Sequence, residues 1–305
     1  MSSPWLALLG WLLVVALLAG AAWWWRRRSR EPERLPKRRA LRPRTTPRHP
    51  VILAHGLFGF DELKLGDARV EYWKGIPRAL RKMGVEVCVP RFGAIASIET
   101  RAAQLAEVIR TMPGTKVNVI GHSMGGVDAR VAIARFGAAD RVASLTTIAS
   151  PHRGTPLADL SPFKKSSSPR RAARRAPAAR GAFGALVDRG RKSLAANTGG
   201  LVDVKPDAMR RLNRRIRDDE RVHYASVLSA VEGVGGVHPL LVPGYLFLSG
   251  KAGRNDGVVP EQSQAWGDIL ARVEADHWAV VGWSKGFDAP DFYESILREL
   301  AARGF

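Results

Sequence analysis

The chain has 305 residues, 46% of them hydrophobic, which is enough for one large packed domain with appendages and excludes a disordered chain. The formal net charge of +20 would suit a nucleic-acid or anionic-membrane partner, but residues 26–48 carry eleven Lys and Arg against Glu31 and Glu33, and residues 161–192 carry ten against Asp188, so these two segments hold +18 of it. The remainder is nearly neutral, so no nucleic-acid partner is expected, and a single cysteine, Cys88, excludes an internal disulfide.

Residues 5–25 form a run of 21 without a charge, and at about 1.5 Å per residue a helix of that length crosses a hydrocarbon layer of roughly 30 Å. Trp23, Trp24 and Trp25 suit the interface, and Arg26, Arg27, Arg28 and Arg30 follow at once. The expectation is a single-pass N-terminal transmembrane helix over residues 1–25, with the bulk of the chain on the cytoplasmic side. The alternative is a cleaved leader and a secreted protein, with cleavage near Leu18 to Ala21. Residues 26–49 read as a basic linker, because Pro32, Pro36, Pro43 and Pro47 oppose both helix and strand, and a polybasic stretch so placed is drawn to anionic head groups.

Residues 50–305 alternate between short β-rich runs and helical spacings, the pattern of a mostly parallel sheet covered by helices on both faces. A strand is expected at 51–54, a helix at 72–83, a strand at 85–90 with Cys88 as a core residue, a helix at 97–111, and a strand at 116–120. A helix over 124–135 and a buried strand over 141–149 follow, closed by a turn-rich stretch at 150–156. Residues 161–200, rich in Ser, Ala, Pro, Gly and Arg, read as a lid-like insertion with only a weak amphipathic stretch at 183–187. Beyond it a helix is expected at 206–216, strands at 222–228, 245–249 and 272–274, and a terminal helix at 291–302.

Between the strand ending at Ile120 and the helix opening at Met124 stands Gly121-His122-Ser123-Met124-Gly125, a Gly-x-Ser-x-Gly sequence in the strand–turn–helix setting of a nucleophile elbow. A serine on so tight a turn needs very small neighbours at Gly121 and Gly125, since side chains there would strike nearby backbone. The helix N-terminus behind it favours the negative charge that develops on an attacked carbonyl oxygen.

A serine nucleophile needs a base, and in this fold the acid and then the histidine follow it in the chain. Of His152, His223, His238 and His277, only His277 lies between the last strand and the last helix, where the base belongs. Asp256, in Arg254-Asn255-Asp256-Gly257, is the preferred acid, with Asp276 the competitor; Asp276 is adjacent to His277 and badly placed to reach its Nδ1. The oxyanion donors expected are the amides of Met124, which follows the nucleophile, and of Leu57, in the small-residue loop His55-Gly56-Leu57-Phe58-Gly59 after the first strand. His55 is expected to brace that loop.

Four blocks together carry a family resemblance: residues 50–61, residues 117–126 with the elbow, residues 150–159, and Asn255-Asp256-Gly257-Val258-Val259 with His277 downstream. On these the chain resembles the bacterial triacylglycerol lipases of the α/β-hydrolase superfamily. The resemblance implies an α/β-hydrolase fold, a catalytic triad of Ser123, Asp256 and His277, oxyanion donors Leu57 and Met124, and a lid in the place of the 161–200 insertion. Many such lipases hold calcium through an aspartate two residues after the histidine. That position is Ala279 here, so neither a metal nor a cofactor is expected. The arginine-rich insertion also departs from an amphipathic lid, and suits an anionic lipid or acyl phosphoester.

The functional expectation is a lipase or esterase acting on a lipid-like acyl ester. Acyl transfer through the same three residues is the enzymatic alternative, and a non-catalytic membrane-tethered scaffold binding acidic lipid is the alternative from outside enzymology. No oligomeric state is legible in the sequence.

Overall fold

A computed structural model describes residues 46–57, 62–65, 68–93, 96–160 and 199–305. The expected membrane helix, the basic linker up to residue 45, and the insertion up to residue 198 with its 183–187 stretch lie outside the described residues. Among the described residues no helix is long and apolar enough to cross a membrane.

Six strands form a wholly parallel sheet, β1 (Val51–Ala54), β4 (Val87–Cys88), β5 (Val117–His122), β6 (Val142–Ile148), β7 (His223–Ala230) and β8 (Asp268–Glu274), in the order β4-β1-β5-β6-β7-β8. The four central members read VILA, VNVIGH, VASLTTI and HYASVLSA, continuous runs with none of the alternation of a half-solvated strand, as burial on both faces requires. A separate antiparallel hairpin, β2 (Glu62–Leu65) and β3 (Ala68–Glu71), lies in a stretch that the sequence reading left without structure.

One face of the sheet packs against α2 (Ile98–Thr111) and α3 (Met124–Arg135). Ser97 caps α2, its hydroxyl accepting from the Thr100 amide at 3.3 Å. The opposite face packs against α1 (Ile76–Lys82) and α8 (Ala289–Ala302), through Trp73, Ile76 and Leu80 on one side and Tyr293, Leu297 and Leu300 on the other. Both faces carry a large cluster of buried apolar side chains, which supplies most of the driving force that holds helices to the sheet.

Three further helices complete the described fold: α4 (Gly199–Asp203), α5 (Pro206–Asn213) and α6 (Val242–Ala252), with the short α7 (Glu261–Gln264) behind the last loop. The residues 245–249 expected as a strand belong to α6. Tyr245 and Leu248, three apart, share its buried face while Leu246 points outward, and Pro243 sits in the first turn where its missing N–H is harmless. A five-residue apolar run is too short to separate the two periodicities. The helix expected over 72–83 starts only at Ile76, because Gly75 takes φ +72° and turns the chain.

The strand order reverses at β1, whose neighbours are β4 on one side and β5 on the other. A crevice at the carboxyl ends of the strands opens at such a reversal, and it lies here between the loop after β1 and the loop after β5.

Candidate active site

β5 delivers His122 and Ser123 to that crevice, and α3 begins at the next residue. Ser123 has φ +55° and ψ −132°, a conformation that an L-residue holds only when its surroundings over-determine it. The surroundings are crowded as the motif demands. A Cβ on Gly121 would lie 2.5 Å from Cα of Gly126, and one on Gly125 would strike the carbonyl of Ala54 and lie 2.7 Å from the carbonyl oxygen of His55. Sequence reasoning missed a third such glycine: a Cβ on Gly126 would run into the Ser150 hydroxyl and lie 2.9 Å from Cγ2 of Thr147. The Ser123 side chain remains partly exposed and is held 3.0 Å from Nε2 of His277.

His277 stands three residues past β8 and is almost wholly buried. Its Nδ1 lies 2.8 Å from Oδ2 of Asp256, and Asp256 is fully buried. The other carboxylate oxygen, Oδ1, accepts from the amides of Val258 at 2.9 Å and Val259 at 2.7 Å. Gln264 approaches Oδ2 at 3.4 Å. With its oxygens so occupied, the carboxylate has one rotamer, and the acceptor it offers to Nδ1 requires the imidazole to carry its proton there, leaving Nε2 as an acceptor toward Ser123.

Asp256 arrives by a route the sequence did not reveal. The chain leaves β7 at Ala230, passes through α6, and returns so that the amide of Val231 donates to the carbonyl of Asn255 at 3.1 Å. Asp256 thus sits at the end of β7. Its competitor Asp276 points elsewhere: its carboxylate accepts from the amides of His238, Trp278 and Ala279 and from the Ser284 hydroxyl, each at 2.7–2.8 Å.

Leu57 and Met124 follow the ends of the paired strands β1 and β5. Met124 is the first residue of α3, so its N–H has no partner within the helix. Among the described residues no acceptor is bonded by that amide or by the amide of Leu57. Gly200 of α4 closes on both side chains; a Cβ there would lie 2.5 Å from Cδ2 of Leu57 and 3.1 Å from Cε of Met124.

Behind the loop, Nε2 of His55 accepts from the amide of Phe92 at 3.3 Å and its Nδ1 lies 2.9 Å from the carbonyl of Gly56. The sequence reading did not foresee the buried Arg101, which donates to Asp128 Oδ2 at 2.7 Å, to the carbonyl of His55 at 2.5 Å and to that of Gly93 at 3.1 Å. Burial pushes the Asp128 carboxyl up to about 7 even with that guanidinium beside it.

The calcium ligand position of the lipases is a buried alanine, Ala279, whose N–H is already spent on Asp276. Among the described residues no cluster of three or more His, Cys, Asp and Glu could hold a metal.

Residues 97–176 match the family model of a PGAP1-like alpha/beta domain. A triacylglycerol lipase of Vibrio cholerae is 42% identical over 121 residues, covering 38% of this chain and 36% of the relative. One of Pseudomonas fragi is 39% identical over 116 residues, covering 37% and 38% respectively. The chain thus spans little more than a third of the length of the curated relatives it matches. Among solved structures, a metagenomic carboxyl esterase superposes with a TM-score of 0.67 at 21% identity, over 90% of this chain and 82% of its own. The lipase of Staphylococcus hyicus gives 0.63 at 18% identity, over 86% and 98%. The fold is that of the α/β-hydrolases, and 38% of the chain is similar in sequence to a triacylglycerol lipase.

Proposed function

We propose that this chain hydrolyses a lipid-like carboxylic ester through an acyl-enzyme on Ser123. The observation that carries the reading is the unbroken hydrogen-bond chain from Ser123 Oγ to His277 Nε2 at 3.0 Å and from His277 Nδ1 to Asp256 Oδ2 at 2.8 Å, ending on a serine with φ +55°. That constellation serves nucleophilic acyl transfer, and the similarity to triacylglycerol lipases favours a fatty-acyl ester as substrate.

In the first half-reaction Ser123 Oγ attacks the acyl carbonyl while its proton passes to His277 Nε2. The new imidazolium is steadied by the Asp256 carboxylate, already aligned with Nδ1. Negative charge collects on the carbonyl oxygen, where the free amides of Met124 and Leu57 and the N-terminus of α3 are the stabilising groups on hand. Collapse of the tetrahedral intermediate breaks the bond to the alcohol oxygen, which takes the proton from Nε2. Water then repeats the sequence and releases the acid. A scaffold role would leave this buried, fully hydrogen-bonded arrangement without use.

Anchoring is a separate proposal and rests on the sequence of residues 5–25 and the arginines after it: a single-pass tether with the hydrolase on the cytoplasmic side, a cleaved leader being the other outcome. Intact mass of the membrane-extracted chain separates the two.

Hydrolysis of p-nitrophenyl esters of graded chain length by the full chain tests the enzymatic reading. Wild type should turn over and Ser123→Ala should not; equal rates would sink it. A competing alcohol that diverts product to a new ester would mark acyl transfer.

A further inference from the structure

A second hydrogen-bond path runs beneath the Ser123 chain, and the proposed reaction does not use it. The amide of Gly56 donates to the Tyr72 hydroxyl at 3.0 Å, that hydroxyl lies 2.6 Å from Nδ1 of His122, and Nε2 of His122 lies 3.1 Å from the carbonyl of His277. All of these residues are buried.

The protons along the path are fixed by its two ends. A carbonyl can only accept, so His122 must carry a proton on Nε2. Burial, followed by the repulsion of the His277 ring 4.7 Å away, holds His122 well below its usual pKa and therefore neutral. Neutral and protonated at Nε2, it has an acceptor at Nδ1, which the Tyr72 O–H must supply. The Tyr72 oxygen in turn receives the Gly56 N–H. Every donor points one way, from the loop after β1 toward the loop after β8.

Each stop on this path adjoins a group of the proposed reaction. Gly56 precedes Leu57, His122 precedes Ser123, and the last acceptor is the carbonyl of His277 itself. Gly56 is also the residue that lets the phenol in: a Cβ there would lie 3.0 Å from the Tyr72 hydroxyl and 2.7 Å from Cβ of Ser123. A hydroxyl needed only for packing would not have to stand between a main-chain amide and an imidazole.

We infer that Tyr72 is a positioning residue, which donates to the unprotonated Nδ1 of His122 and through it sets the spacing between the oxyanion loop, the nucleophile and the base. The inference rests on the hydrolase reading for its kinetic consequence and on geometry alone for its tautomer. Removing the phenolic oxygen leaves the ring, with its edge contact to Trp73 at 5.2 Å, but strands the Gly56 amide and leaves Nδ1 of His122 without its donor. His122 is then held at one end alone, and a base displaced by a fraction of an ångström costs turnover before it costs binding.

The test pairs kinetics with 15N spectra of histidine-labelled full chain. In Tyr72→Phe, kcat for a p-nitrophenyl ester should fall by about 10- to 100-fold with KM held within about twofold, as expected for displaced catalytic groups. The double variant Tyr72→Phe/His122→Gln should be no slower than the slower single variant. The His122 resonances, identified by their loss in His122→Gln, should report an Nε2–H tautomer in wild type and in Tyr72→Phe, with the Nδ1 resonance shifted in the variant where its hydrogen-bond donor is gone. Unchanged kcat, strictly multiplicative effects, or an Nδ1–H tautomer in wild type would overturn the inference. A wild type that turns over no ester sinks the hydrolase reading instead, and the spectra still decide the tautomer.

Discussion

Asp256 and His277 are joined twice: Nδ1 of His277 meets Oδ2 of Asp256 at 2.8 Å, and the amide of His277 donates to the carbonyl of Asp256 at the same distance. The main-chain bond fixes where the ring can lie before the side chains meet, so two loops 21 residues apart behave as one support. Such double fixing is what keeps an imidazole aligned when its charge changes.

Asp256→Asn should leave this support standing and still abolish most turnover. The amide oxygen would take over the Val258 and Val259 N–H bonds, which leaves the NH2 group facing His277 Nδ1. That donor forces the proton onto Nε2, the wrong side for a base. A fall in kcat on the order of 10⁴, the size seen for this change in serine proteases, is expected with little change in thermal midpoint.

Gly125→Ala addresses the elbow. Its methyl group would strike the carbonyl of Ala54 and lie 2.7 Å from that of His55, both main-chain atoms of a buried strand end that cannot swing aside. A loss of roughly 1–3 kcal/mol is expected in urea denaturation, as for other overpacked core sites, together with loss of ester hydrolysis.

Arg101→Lys tests the brace behind the oxyanion loop. The planar guanidinium reaches Asp128, the His55 carbonyl and the Gly93 carbonyl at once, and a single ammonium cannot. At least one charged hydrogen bond is lost, so stability should drop by about 1.5 kcal/mol or more. Because His55 begins the loop that carries Leu57, kcat should drop as well. Unchanged turnover would separate the brace from the site.

The acid side of the stability profile is set by buried histidines. Burial pushes both His122 and His152 well below the usual 6.5, whereas in the unfolded chain each titrates near that value. As pH falls below 6.5 the unfolded state takes up protons that the folded state refuses, so stability falls, by up to about 1.4 kcal/mol per pH unit for each histidine. Asp128, whose carboxyl is raised to about 7, holds a proton when folded and acts in the opposite sense above its unfolded value of 3.8. The difference between variants removes it. His152→Gln, which can still donate toward Thr147 Oγ1, should flatten the slope by about one proton between roughly pH 5.5 and 4.5. An unchanged slope would mean that His152 is protonated in the fold.

Those residues mark the limit of what the sequence showed. The sheet, the elbow and the two layers of helices were legible, because β-branched runs and helical spacings carry their own periodicity. Ser123, His277 and Asp256 could be picked out by chain order, and the structure brings them within hydrogen-bond reach. Asp256 was chosen behind a strand at 245–249 that is in fact helical; what places it is the return of the chain to β7, a contact between Val231 and Asn255 that no local pattern encodes. Tyr72 was hidden because it was read as helix, and Arg101 because an arginine in an amphipathic helix normally faces solvent. Both act across long separations, where spacing says nothing. Gly126 was passed over because only the first and fourth neighbours of the motif were weighed against the turn.

The central claim is that Ser123 is a nucleophile activated by His277. Treatment of the full chain with a fluorophosphonate probe, followed by peptide mass mapping, tests it most directly. The account predicts a single adduct on Ser123, absent in Ser123→Ala and formed far more slowly in His277→Ala; labelling that persists unchanged in Ser123→Ala, or ester turnover by a wild type that never labels, would contradict it.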